Sequence, residues 1–138
     1  MAQSTEELLA QVPLFQGLSK KHLQQVSNLA TRIDFSAGKV LAREGEPGHE
    51  FIVILDGVVE IKRGDEVVAT REAGSYVGEI ALLEHRPRTA TVIAKTAVSA
   101  DVIGQREFST LLNDEPKIAE AIKAKSAERL AQLASDEG

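Results

Sequence analysis

The apolar positions of this chain change period twice. Near the start, Ser4, Thr5, Glu6 and Glu7 precede Leu8, Leu9 and Ala10, and Ser19 precedes Leu23, Val26, Leu29 and Ala30 at helical spacing. Capping residues ahead of an apolar turn predict two short helices there. From Arg32 the pattern becomes strand-like, with runs at 40–43, 51–55, 58–62, 67–71, 89–94 and 98–103. Turn residues separate these runs: Gly45, Glu46, Pro47 and Gly48, then Asp56 and Gly57, Gly64 and Asp65, Gly74 and Ser75. Such short spacing suits antiparallel hairpins in a sandwich or barrel. After Gly104 helical spacing returns. Phe108, Leu111 and Leu112 predict a buried helix face over 106–113, and Asn113 to Pro116 stop it and start another helix over 117–134. Its apolar stripe is Ile118, Ile122, Leu130 and Leu133, interrupted by Ser126. The expected fold is α+β and mainly β, an antiparallel β-roll flanked by N-terminal and C-terminal helices.

Length and composition narrow the function. A chain of 138 residues is one domain, 1–138, able to enclose a single core. With 16 basic and 21 acidic residues the net charge is −5, so no global field draws the protein to nucleic acid or anionic lipid. Lys20 with Lys21 and Arg86 with Arg88 are too dilute to form a nucleic-acid surface. The absence of cysteine excludes disulfides and thiolate zinc sites, and His22, His49 and His85 are far apart, as expected of surface or turn residues. The acidic N-terminus carries neither a signal peptide nor a membrane span, which leads to the expectation of a cytoplasmic protein with a natural start at Met1. Arg63, Gly64 and Asp65 spell an adhesion tripeptide, but a glycine and an aspartate between strands are what a tight hairpin requires.

The chemistry concentrates in residues 76–92, YVGEIALLEHRPRTATV. Gly78 lets backbone approach a ligand where a side chain would block it, and 79–83 form a good short helix whose unpaired N–H groups face that glycine. Helix starts bind anions. Glu79 can accept from hydroxyls, and Arg88 offers a planar fork suited to two phosphate oxygens. Together they divide a sugar phosphate into a ribose end and a phosphate end.

This segment resembles the phosphate-binding cassette of the cyclic nucleotide-binding domain family. Gly78-Glu79-Ile80-Ala81-Leu82 fits the first half of the family pattern, and Pro87-Arg88-Thr89-Ala90-Thr91-Val92 fits the second. Val77 departs from it, at a packing position where relatives often carry Phe. The resemblance covers nearly the whole chain: helices over 1–31, a β-roll over 32–103 with the cassette at 76–92, and helices over 105–135. It implies that Glu79 binds the ribose 2′-hydroxyl, that Arg88 clamps the cyclic phosphate, and that Gly78, Ile80 and Ala81 line the phosphate.

Further roles follow from the resemblance with alternatives open. Thr89 either reaches the phosphate or a syn purine, or is a β-branched strand residue. Ser126 and Arg129 either close over the base or, for Ser126, provide a small residue where the helix crosses the roll. Ile80, Leu83 and Phe108 either relay movement to the C-terminal helices or are simply core. No aromatic follows Phe108, so an aromatic lid on the last helix has no candidate.

The resemblance therefore implies a sensor that does no chemistry, needs no cofactor or metal, and takes cAMP, with cGMP the alternative, as its ligand. Its output would pass to an unidentified protein effector, whether the chain is free-standing or a module of a larger protein. No helix-turn-helix follows the last helix, so no nucleic-acid partner is expected. The span from Ile118 to Leu133 is barely two heptads, which favours a monomer or at most a weak homodimer. A metal-dependent cupin-type enzyme would need clustered histidines, which the chain lacks, and a degenerate, ligand-free interaction domain stays the alternative, less favoured because Glu79 and Arg88 are both present.

Overall fold

A computed structural model describes residues 5–137, with side chains described over 7–132. The expected cap Ser4, the side chain of Leu133 and the terminal Gly138 lie outside the described residues. The chain opens with α1 (Thr5–Ala10), a 3-10 turn at Pro13–Phe15 and α2 (Lys20–Leu29). Ser19 caps α2, its hydroxyl accepting from the His22 N–H at 3.3 Å.

Eight strands follow: β1 (Ala30–Phe35), β2 (Val40–Ala42), β3 (Glu50–Asp56), β4 (Val58–Arg63), β5 (Glu66–Glu72), β6 (Tyr76–Val77), β7 (Thr91–Ala94) and β8 (Val98–Gly104). They pair antiparallel in two sheets, ordered β1-β8-β3-β6 and β2-β7-β4-β5. Between β6 and β7 lies α3 (Glu79–Glu84), and after β8 come α4 (Gln105–Asp114) and α5 (Pro116–Glu137). The β-roll with flanking helices is the architecture that the change of period implies.

The continuous apolar run of β3 reflects burial on both faces. Phe51, Val53 and Leu55 face the helices, whereas Ile52 and Ile54 face the space between the sheets. Alternation disappears from the sequence because neither face is wet. The helix-side core joins Phe15, Val26, Leu82, Phe108, Leu111, Ile118 and Ile122 to β3, with the Phe51 ring 4.9 Å from Phe108 and 5.2 Å from Tyr76. His22 on α2 also bonds the buried carboxylate of Glu115 at the junction of α4 and α5, tying the two helical ends together.

Three elements depart from the sequence pattern. β1 starts at Ala30, inside the span read as helical, and as a strand with Arg32 and Asp34 outward it has little apolar signal; Arg32 is instead held across the ladder by buried Asp101 at 2.8 Å. β6 has only two residues, too few to show a period. β7 starts at Thr91, not Thr89, because the backbone of Arg88 pairs with the 45–46 loop, through Arg88 N to Glu46 O and Gly45 N to Arg88 O, each 2.9 Å.

Ile122 is fully buried on α5. Ile122→Ala should lower unfolding free energy by about 2–5 kcal/mol, read as a lower urea midpoint at unchanged slope.

Candidate functional site

The site is built where β6 ends. Gly78 has φ 97° and precedes α3, a left-handed conformation that favours glycine. A Cβ there would lie 2.5 Å from both the Glu50 carbonyl oxygen and Arg88 Nη1. Gly48, in the loop before β3, is equally constrained: its Cβ would fall 2.4 Å from Ala81 Cβ and 3.0 Å from Arg88 Nε. Two glycines thus open the slot in which the Arg88 side chain lies. At the other end of α3, His85 adopts φ 50° and ends the helix, turning the chain toward Pro87 and Arg88.

Glu79 and Arg88 are both buried, with 1% and 9% of their surfaces exposed. Burial pushes the Arg88 guanidinium down from its ordinary value, and the negative charges of Glu50 and Glu79 oppose the shift. The Oε1 of Glu79 accepts from Arg129 Nη1 on α5. Its Oε2 is buried without a hydrogen-bond partner, and so is Arg88 Nη1. Native proteins rarely leave buried polar atoms unsatisfied. Here one strong acceptor and one charged donor are left over on residues lining a single cavity of about 220 Å³.

Gly78, Glu79, Ile80, Ala81, Arg88, Thr89 and Arg129 all line this cavity. Ser126 does not: it is 3% exposed, with its hydroxyl buried and unpartnered. Arg129 meets Glu79 and also lies over the Tyr76 ring, 5.1 Å from its centroid. Of the relay residues, Ile80 lines the cavity, and Leu83 and Phe108 pack in the helix-side core.

Several lining residues escape a sequence reading. Ile61, Val68, Ala69 and Arg71 come from β4 and β5, and Gln132 from α5. β5 is an edge strand, so its inward and outward residues look alike in the sequence. Gly48 reads only as a turn residue, and Tyr76 precedes the motif by one position. A more open groove adjoins the cavity, bounded by Pro13, Gly74 and Ala121, and shares Arg71, Arg129 and Gln132 with it.

Burial, with the Glu79 carboxylate nearby, pushes the Tyr76 phenol up to about 12, while Arg129 opposes the shift. The folded protein therefore holds this proton more tightly than the unfolded chain, whose value is near 10.0. The resulting stability is intact below pH 10.0 and is lost as pH rises toward about 12. Tyr76 is the one tyrosine in the chain. Its ionisation, followed by phenolate absorbance, should show a midpoint well above that of the urea-unfolded protein, and Glu79→Gln should lower it.

Comparison with known proteins agrees with this geometry. The family model described as "Cyclic nucleotide-binding domain" matches residues 32–115, from β1 to the end of α4. The chain is 36% identical over 110 residues to a cAMP-dependent protein kinase regulatory subunit of Schizosaccharomyces pombe, covering 79% of this chain and 27% of that protein. It is 37% identical over 123 residues to a cyclic nucleotide-gated potassium channel of Rhizobium etli, covering 89% of this chain and 34% of the channel. The chain thus spans about a quarter to a third of the length of these curated relatives. Among solved structures, PKAR CBD2 bound to Sp-2Cl-cAMPS superposes with a TM-score of 0.79 at 25% identity, covering 94% of this chain and 88% of that one. The regulatory subunit of a cAMP-independent protein kinase A from Trypanosoma brucei superposes with a TM-score of 0.81 at 26% identity, covering 92% of this chain and 49% of that one. With the family model matching most of the chain and relatives above 30% identity covering it, the chain belongs to the cyclic nucleotide-binding domain family.

Proposed function

We propose that this domain is a cyclic nucleotide sensor, with cAMP favoured over cGMP, that performs no chemistry and passes its state through α5 to an effector. The observation that carries the reading is the pair of unsatisfied buried atoms, Glu79 Oε2 and Arg88 Nη1, on one cavity. A ribose 2′-hydroxyl would donate to the first. A cyclic phosphate would accept from the second and from the N–H groups of Ile80 and Ala81, at the start of α3.

The base would lie toward β4 and β5, where Ile61, Val68 and Ala69 offer apolar surface, with Thr89 and α5 at its edges. The preference for adenine draws support from the kinase relatives, named as cAMP-dependent, and from the cAMP analogue in a solved neighbour. The Trypanosoma brucei neighbour is cAMP-independent yet shares the fold. The ligand reading therefore rests on side chains and not on architecture. Because Arg129 bonds Glu79, α5 would respond to what occupies the cavity, by no more than the difference in affinity between its two positions. The effector would be a protein partner or a neighbouring domain. A cupin-type metal site has no support: among the described residues no group of three or more His, Cys, Asp or Glu could hold a metal ion.

Two measurements test the reading. Thermal unfolding of nucleotide-free protein should shift upward by several degrees with cAMP, less with cGMP and not with 5′-AMP, since a ligand at ~100 times its dissociation constant adds ~2.7 kcal/mol. No shift with any of them would make this a ligand-free interaction domain. Glu79→Ala and Arg88→Ala should each weaken cAMP binding by about 10- to 100-fold in titration calorimetry, the loss expected for a hydrogen bond to a charged group. Unchanged affinity in both variants would remove the site.

A further inference from the structure

Besides Arg88, whose guanidinium also feels the Glu79 charge, two guanidiniums from other parts of the fold act on Glu79. Arg129, on α5, donates to its Oε1 and rests on Tyr76. Arg71, on β5, lines the same cavity as both. Its guanidinium is pushed down from its ordinary value, chiefly by burial and next by the like charge of Arg129, while the Glu79 carboxylate opposes the shift. Arg71 Nη1 donates to the neighbouring Thr70 carbonyl at 3.0 Å, an exposed bond within its own strand.

A carboxylate only 1% exposed is destabilised when the cation bonded to it leaves. Any opening of the cavity that swings α5 outward removes Arg129 from Glu79. β5 does not travel with α5, since it is laddered to β4 from Glu66 to Glu72. We propose that Arg71 takes over Glu79 when α5 opens, so that the buried carboxylate passes from a helix-borne to a sheet-borne arginine and Arg71 sets the balance between open and closed forms. This deepens the sensor reading and relies on it for the ligand, but the handover itself belongs to the nucleotide-free protein.

The handover has an unusual sign. In the closed form Arg71 and Arg129 repel each other across one carboxylate, and in the open form Arg71 joins Arg88 as a cation acting on Glu79. Removing its charge relieves the first and forfeits the second. Both effects favour closure. An ordinary lesion in a binding site loosens the ligand, whereas loss of Arg71 should hold α5 down and slow release.

The chain has no cysteine, so Glu66→Cys on β5 and Ala131→Cys on α5, both at exposed positions, can carry a pair of spin labels. In nucleotide-free protein, Arg129→Gln should lengthen the label-to-label distance and Arg71→Gln should deplete the longer distances. Arg71→Lys, which keeps a charge on the sheet, should restore the original distribution. A distribution unchanged or lengthened by Arg71→Gln would overturn the proposal, as would Arg71→Lys behaving like Arg71→Gln. With nucleotide, release of radiolabelled cAMP into an unlabelled chase should slow on the order of fivefold in Arg71→Gln. Release as fast as in the unsubstituted protein, or faster, would overturn it too. Failure of the unsubstituted protein to bind any cyclic nucleotide would sink the sensor reading, and the distances would still decide the handover.

Discussion

The arrangement around the cavity depends on keeping one buried carboxylate charged. Glu79 is at the first turn of α3, inside the protein, where an isolated negative charge would be strongly destabilising. Three features offset that. The α3 backbone presents its N–H groups at the same end. Arg129 reaches in from α5 to bond one oxygen. Tyr76 on β6 supports the guanidinium from below, its ring giving a cation a favourable face. These come from three separate elements, so the charge of Glu79 links the roll to the last helix. A neutral residue at position 79 would leave Arg129 without that ion pair and with its contact on the Tyr76 ring.

Arg88 poses the complementary problem. A guanidinium nine-tenths buried needs space that ordinary side chains would fill, and here the space comes from glycine. Gly78 lies between β6 and α3 and Gly48 in the loop before β3, and a methyl group at either would collide with Arg88 or its surroundings. The backbone of Arg88 is fixed independently, by its two hydrogen bonds to residues 45 and 46. The backbone that carries the guanidinium is therefore held by contacts outside the cavity.

Much of this was legible in the sequence, and the boundary is physical. The cassette could be read because its parts are local: a glycine, a first-turn glutamate and an arginine nine positions on all act through one short helix and its flanking turns. β3 could be read because burial on both faces leaves an unbroken apolar run from Phe51 to Leu55. What stayed hidden depends on pairs distant in the chain. Arg129 could be named from its place on the last helix, as a residue closing over a base. That its carboxylate partner is 50 residues away, and that its aromatic support lies on β6, needs the folded geometry. Arg71 illustrates the same limit, since a charged residue on an edge strand looks solvated until a helix is placed beside it.

The last helix, α5, is divided between core and cavity. Its first half is core: Ile118 and Ile122 are buried against the helix-side cluster, and Glu115, just before it, is bonded by His22 of α2. Its second half holds Arg129 and Gln132 at the cavity, with Ser126 the last fully enclosed residue between. Apolar contact makes the first half a fixed arm, and charge ties the second half to the cavity. Movement of the second half must either bend the helix near Ser126 or shift the arm. The arm is packed against Phe108 and Leu111 of α4, and close-packed cores move between discrete arrangements, not by continuous deformation. A change in the partner of Glu79 would thereby bear on α4 and α5 together, as the proposed sensor requires.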